Sequence, residues 1–196
     1  MRQVSESNPA WLSAAVDAAN AAEALAMSFF QTDIQVETKD DNSPVTEADR
    51  ACERAIRSVL SARFPDHAIV GEEYGQHGQS RHVWLIDPID GTRSFIRGLP
   101  FWSIQIALMV DDELVVGVSS APAFGERAHA MVGCGAHLND QPMAVRSVEH
   151  LSESDVSFGN IRSLAKSPQW PWLGWVIERA ARTRGYGDFY SYHRLA

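Results

Sequence analysis

Cysteine is scarce in this chain. Cys52 and Cys134 are the two present in 196 residues, far apart and in no metal-ligand spacing. A disulfide framework is therefore not expected, and a reduced, cytoplasmic setting is the default reading. No apolar run approaches membrane-spanning length, so no membrane partner is expected. The opening stretch from Met1 to Pro9 lacks the apolar core of a signal peptide. Basic charge is also short: the net charge of −8 argues against a nucleic-acid scaffold. The seven histidines, His193 among them, show no ligand spacing and read as surface or structural. There is no internal repeat and no low-complexity segment. What remains is 45% hydrophobic and 21% charged, the balance of a soluble globular protein long enough for one domain, or a domain and a fragment. An acidic protein acting on an anionic substrate needs a cation to bridge the two.

The segmentation follows from periodicity and punctuation. Asn8-Pro9 reads as a helix cap with proline at the first helical position. Apolar residues then recur at helical spacing from Trp11 to Phe30. Residues 32–44 are polar and charged and read as an exposed loop. Thr46-Glu47-Ala48-Asp49 resembles a capping start for a second helix that stops before Pro65. Ala68 to Gly71 reads as a short strand and Tyr74 to Arg81 as a polar loop. Ser103–Val110 and Glu113–Ser120 read as a hairpin joined at Asp111-Asp112. Strand pattern continues over Arg127–Val132 and Ala136–Leu138. The polar stretch 147–154 is the best boundary, giving an N-terminal α+β half, 1–148, and the start of an α/β half, 149–196. In the second half Val156–Phe158 reads as a strand and Trp172–Arg182 as a helix, with Trp170, Trp172 and Trp175 as packing residues.

The run Val83 to Phe95, with Trp84-Leu85-Ile86-Asp87-Pro88-Ile89-Asp90-Gly91-Thr92 at its centre, carries the chemistry. An apolar strand ends in two carboxylates three positions apart. Pro88 cannot donate a ladder hydrogen bond, so the chain is expected to turn there. Asp87 and Asp90 would then project from the mouth of a sheet as oxygen donors for a hard cation, Mg²⁺ or Mn²⁺. Gly91 allows close backbone approach, and a helix starting at Thr92 would turn its N–H groups towards phosphate. The alternative at this point is a turn whose aspartates cap backbone groups. Asp49 at a helix start and Glu72 after a strand add two more carboxylates at element ends. Each alone has a structural explanation. Together they suggest ligands converging on one sheet edge, where two metal ions would clamp both oxygens of a phosphoester.

These residues carry a family resemblance. Lys39 with Pro44-Val45-Thr46-Glu47-Ala48-Asp49, then Gly71-Glu72-Glu73, then Asp87-Pro88-Ile89-Asp90-Gly91-Thr92 resemble, in order, the motifs of the inositol monophosphatase superfamily of metal-dependent phosphatases. The resemblance implies the layered αβαβα sandwich of the inositol monophosphatase and fructose-1,6-bisphosphatase type. It implies Mg²⁺, with Mn²⁺ as a substitute, and a small phosphorylated substrate hydrolysed by in-line attack of water without a phospho-enzyme. Glu72, Asp87 and Asp90 would be metal ligands through their carboxylates and Ile89 through its carbonyl. Asp49 and Thr92 would orient and activate the water, which Glu72 would share through the metal. Gly91 and Thr92 would offer N–H groups to phosphate. Lys39 would sit on a mobile loop. A homodimer is implied by resemblance only.

The stretch from Asp90 to Trp102, and Gly185-Tyr186-Gly187-Asp188-Phe189-Tyr190, resemble the histidinol-phosphate phosphatase branch, which places the activity in histidine biosynthesis. The chemistry agrees. Histidinol carries an ammonium and an imidazole, so Asp188 near the leaving alcohol would favour it, and Arg93 beside the phosphate turn would contact the ligand. The reading kept beside it for Asp188 is a turn residue, and for Arg93 a surface charge. Inositol or another sugar monophosphate is the alternative substrate. The superfamily has a further Trp-Asp motif towards its C-terminus, and this chain reaches Ala196 without it. The expectation is an incomplete C-terminal part, with a weak second metal site and the missing segment supplied by a longer native chain. A catalytically incomplete fragment with a binding or assembly role is the rival from another class.

Overall fold

The structure is a computed structural model that describes residues 8–38 and 44–195. It divides into two compact units, Met1–Met143 and Ala144–Ala196.

The first unit opens with α1 (Pro9–Phe29), capped by Asn8, whose side chain accepts the N–H of Ala10 at 3.0 Å. Two short strands follow, β1 (Val36–Thr38) and β2 (Pro44–Thr46), paired antiparallel. β1 lies inside the stretch 32–44 expected to be loop, and β2 begins at its last residue. Their burial differs: β1 is fully exposed, and β2 tucks Val45 and Thr46 inside, so the pairing carries no alternation readable from β1. Next come α2 (Glu47–Arg63), β3 (Ala68–Gly71), β4 (Gly75–His77), β5 (His82–Asp90), α3 (Thr92–Ile96), β6 (Ser103–Val110) and β7 (Glu113–Ala121). The unit closes with β8 (Glu126–Met131), β9 (Gly135–Leu138) and β10 (Gln141–Met143). The polar segment after Tyr74, expected as loop, contains β4, which pairs with β3 as a hairpin arm while remaining exposed.

One eight-stranded sheet organises the unit, in the order β10-β9-β8-β7-β6-β5-β3-β4. Only the β3–β5 contact is parallel; the neighbouring pairs are antiparallel. The Asp111-Asp112 hairpin forms as expected, with both residues at positive φ, as a two-residue turn matched to strand twist requires. Helices α1 and α2 cover one face of the sheet. Ala14, Ala15, Ala18, Ala19, Ala22 and Ala26 of α1 are wholly buried, which brings the helix close to the strands and to α2. Trp84, Ile86, Ile104, Ile106 and Leu108 fill the core from the sheet side. At the edge of this core His67 stacks between Phe64 and His82, with ring centroids 4.7 Å and 4.5 Å away. Its Nδ1 is buried without a hydrogen-bond partner. Burial, and then the neighbouring His82, push its pKa down to about 4.

The second unit contains β11 (Asp155–Ser157), α4 (Ile161–Ala165), α5 (Trp170–Arg179), β12 (Arg182–Arg184) and α6 (Asp188–His193), with β11 and β12 paired in parallel. The helix expected over 172–182 thus begins earlier and ends earlier, because Arg182 enters a strand. Trp170, Trp172 and Trp175 are exposed rather than packed inside: α5 has no buried residue. No helix among the described residues is long and apolar enough to cross a membrane.

Candidate active site

The strand that carries Asp87 does not stop there. β5 continues through Pro88 and Ile89 to Asp90, and the expected turn is a bulge. Asp87 faces Gln105 and Asp90 faces Ser103, so two residues, Pro88 and Ile89, stand opposite one. Proline without an N–H is tolerated at such an irregularity, and the extra residue re-aims the side chains around it. Ile89 is buried and Asp87 and Asp90 are half-buried.

Gly91 then reverses the chain at φ +91°, a left-handed conformation. A Cβ there would lie 2.6 Å from the carbonyl oxygen of Phe101, so the position has neither the backbone freedom nor the space for another residue. α3 starts at Thr92 as expected but is five residues long. Arg93 lies exposed on it.

Thr92 ties this segment to α2. Its Oγ1 is 3.2 Å from Oδ1 of Asp49 and 3.1 Å from the carbonyl oxygen of Ile89. Asp49 is buried at the start of α2 in a capping box with Thr46: its Oδ2 accepts the Thr46 N–H at 2.8 Å and the Thr46 hydroxyl at 2.6 Å. Burial raises the Asp49 pKa, while the hydrogen bonds from Thr46 and Thr92 oppose the rise. The carboxylate thus holds a proton more readily than an exposed one, and its free orientation is fixed by Thr46.

Glu72 sits exposed on the turn between β3 and β4, with its N–H bonded to the carbonyl of Ile86 at 3.2 Å. That bond places the turn beside the Asp87 end of β5. Burial, then the charges of Glu72 and Asp90, push the Asp87 pKa up to about 8. Asp87 Oδ1 is buried without a hydrogen-bond partner. The Ser103 hydroxyl approaches Oδ2 of Asp90 at 3.5 Å. Among the described residues, no three acidic, histidine or cysteine side chains are grouped so as to hold a metal ion. The donor set nevertheless fits a hard divalent cation. A half-buried Asp87 carboxyl whose proton affinity is raised by burial and by neighbouring carboxylates, with one oxygen orphaned, is what such a cation relieves.

On the face of the sheet turned away from α1 and α2 is an open cavity of about 620 Å³, with Glu72, Asp87, Gln105, Ser119 and His129 among its lining residues. The structure therefore brings Asp49, Ile89 and Thr92 into one hydrogen-bonded set and brings Glu72 and Asp90 each into electrostatic contact with Asp87. Asp188 opens α6 in the second unit, exposed and at φ +41°. Lys39 lies outside the described residues.

A model of the inositol monophosphatase family matches residues 8–167. The chain belongs to the inositol monophosphatase family. Among curated relatives it is 40% identical to the histidinol-phosphatase of Chlorobaculum parvum over 188 residues, covering 94% of this chain and 72% of that protein. It is 38% identical to the histidinol-phosphatase of Streptomyces coelicolor, covering 91% and 71%. Among solved structures of the inositol monophosphatase family, the enzyme from Anabaena aligns with TM-score 0.80 at 26% identity, over 95% of this chain and 70% of that one. The extragenic suppressor protein suhB of Bartonella henselae aligns with TM-score 0.83 at 28% identity, over 91% and 71%. These alignments bear out the layered αβαβα sandwich and the family expected from the three motifs.

Sequence reasoning missed Glu53. It lies wholly buried on α2 and accepts the N–H groups of Glu73 and Tyr74. The signal was present: Glu53 follows Cys52 on the apolar face that also carries Ala48 and Ile56, where an unpaired acid is rare.

Proposed function

We propose that this inositol monophosphatase family chain hydrolyses histidinol phosphate in a divalent-cation-dependent reaction. The observation that carries the chemistry is the juxtaposition of the Asp49–Thr92 pair with the Glu72, Asp87 and Asp90 carboxylates. The identity to proteins named histidinol-phosphatase supports the substrate. Glu72, Asp87, Asp90 and the Ile89 carbonyl would hold Mg²⁺, or Mn²⁺ in its place. When bound, the cation supplies positive charge to the phosphate oxygens and lowers the pKa of water.

The chain's own residues handle the proton. Thr92 Oγ1 accepts a proton from the attacking water as its own hydroxyl proton passes to Asp49 Oδ1, 3.2 Å away. Thr46 holds Oδ2 of the same carboxylate, so the receiving oxygen keeps its aim. Gly91 brings the backbone at 91–92 close to phosphate, and Arg93 offers a guanidinium to it. Asp188 would pair with the cationic groups of histidinol. The protein would act as a homodimer.

The test is phosphate release by this 196-residue chain from histidinol phosphate and from inositol 1-phosphate, with Mg²⁺ and with EDTA. Mg²⁺-dependent release with a higher kcat/KM for histidinol phosphate is expected. A preference for inositol 1-phosphate overturns the substrate assignment, and release unaffected by EDTA overturns the cation.

A further inference from the structure

Glu53 is an acid with no exposed surface. An ionised carboxylate in such a place is costly unless its oxygens are partnered. Here the partners belong to one turn. Oε2 accepts the N–H of Glu73 at 2.7 Å, and Oε1 accepts the N–H of Tyr74 at 3.2 Å. Arg57, one helical turn later on α2, donates its Nε to Oε1 of Glu53 at 2.7 Å and a second N–H to the carbonyl of Gly75. Two side chains of one helix thus bind backbone groups of three consecutive residues: the N–H of Glu73, the N–H of Tyr74 and the carbonyl of Gly75. The turn they hold is the link of Glu72, Glu73 and Tyr74 between β3 and β4, closed where Gly71 faces Gly75.

Gly71 belongs to the same device. A Cβ at this position would lie 2.0 Å from Oε1 of Glu53 and 2.8 Å from Nη2 of Arg57. The residue is in strand conformation, so its backbone does not demand glycine. The space taken by the Glu53 carboxylate does.

The placement of Glu53 on α2 gives the arrangement a purpose beyond satisfying a buried charge. Asp49 is one turn earlier on the same helix, and it holds Thr92. One rigid element therefore grips both halves of the site: the Thr92 segment through Asp49 and the Glu72 turn through Glu53. Groups behind metal ligands that fix their orientation typically account for 10–100-fold in metal affinity.

We propose that Glu53, braced by Arg57 and given room by Gly71, is a positioning residue that fixes Glu72 for a divalent cation. The proposal rests on the reading of Glu72 as a cation ligand given above. It makes Glu53 no part of the reacting groups. Its effect passes through the backbone of the turn.

The experiment is Mn²⁺ binding to the full chain, followed by the electron paramagnetic resonance of free Mn²⁺, with circular dichroism melts on each protein. Glu53→Gln and Gly71→Ala are expected to raise the Mn²⁺ dissociation constant about ten-fold or more at temperatures where the melts show folded protein. Arg57→Lys, at a mostly buried but water-accessible side chain, is expected to raise it about three-fold or more. In phosphate release, half-saturation by Mg²⁺ shifts by the same factors while the substrate KM stays. Folded Glu53→Gln and Gly71→Ala proteins that bind Mn²⁺ as tightly as the parent overturn the proposal. If neither variant folds, Arg57→Lys decides, and unchanged Mn²⁺ affinity there overturns it. Glu72→Gln is measured alongside: if it binds Mn²⁺ like the parent, the cation reading of Glu72 fails, whatever Glu53 does.

Discussion

The hydroxyl of Thr92 stands between two acceptors, Oδ1 of Asp49 at 3.2 Å and the carbonyl of Ile89 at 3.1 Å, the first of them 43 positions away in the chain. One hydroxyl proton cannot serve both at full strength. The carbonyl cannot take a proton at neutral pH, whereas the buried carboxylate can. The pair is therefore built to choose a direction for proton transfer.

Removing either member of that pair should lower kcat more than it changes KM. Thr92→Val and Asp49→Asn are expected to lower kcat by about 10²–10⁴-fold, the range for general acid–base groups. Thr92→Ser, which keeps the hydroxyl, should lose much less. Steady-state phosphate release at saturating Mg²⁺ measures this. A rise in KM at unchanged kcat would assign both residues to binding instead.

Divalent cation should stabilise the fold through the acidic edge. At Mg²⁺ near 100 times its dissociation constant, the gain is about 2.7 kcal/mol. For a chain of this size that corresponds to roughly 5–10 °C in melting temperature. Asp87→Asn should abolish the shift. Without Mg²⁺ the same variant should melt no lower than the parent, because Asp87 is buried beside the like charges of Glu72 and Asp90. Thermal melts in EDTA and in Mg²⁺ report both effects.

Gly91→Ala should be severely destabilising. The backbone at φ +91° costs a non-glycine residue about 1–2 kcal/mol, and the contact with Phe101 adds to that. A total loss of about 2–4 kcal/mol is expected from urea denaturation. A loss below about 1 kcal/mol would show that the Phe101 segment moves freely, which its packing opposes.

Acid should weaken the fold through His67. Its folded pKa of about 4 lies below the ordinary histidine value of 6.5, so the native state binds fewer protons than the unfolded chain between those values. The stability from neutral His67 is present above pH 6.5 and is lost as pH falls towards 4. The facing His82 disfavours the charged form and Asp66 favours it. His67→Phe keeps a ring in the stack and should flatten the decline of the urea midpoint between pH 6.5 and 4. An equally steep decline in the variant would place the acid sensitivity elsewhere.

The legible parts of the sequence were those with a strong local rule. Asn8-Pro9 and Thr46 to Asp49 announced helix starts because their side chains make the caps themselves. Asp111-Asp112 announced a hairpin because its turn needs two residues that tolerate positive φ. The acidic motif announced its chemistry by residue type. Pro88 misled, because a missing N–H suits a bulge as well as a turn, and pairing with β6 decided between them. β1 and β4 were hidden because exposed hairpin arms carry no apolar alternation. The end of α5 was hidden because Arg182 pairs with Asp155, a long-range contact invisible to local pattern. The place of Glu53 on the apolar face of α2 was a signal of burial, but its partners, the N–H groups of 73 and 74, were not legible, because they too are long-range contacts.

The alanine-lined helix at the start of the chain has a consequence for biosynthesis. Glu23 of α1 finds its partners, Ser120 and Arg127, 97 and 104 positions later. A ribosome adding about 5–20 residues per second delivers them on the order of 5–20 seconds after the helix. For the later part of that interval, once Arg63 has been added, the nascent helix has α2 as its partner, while the strands it will finally lie on are still being made. Slowing translation between α2 and β7 would lengthen the exposure of its small, featureless stripe to chaperones and to other nascent chains.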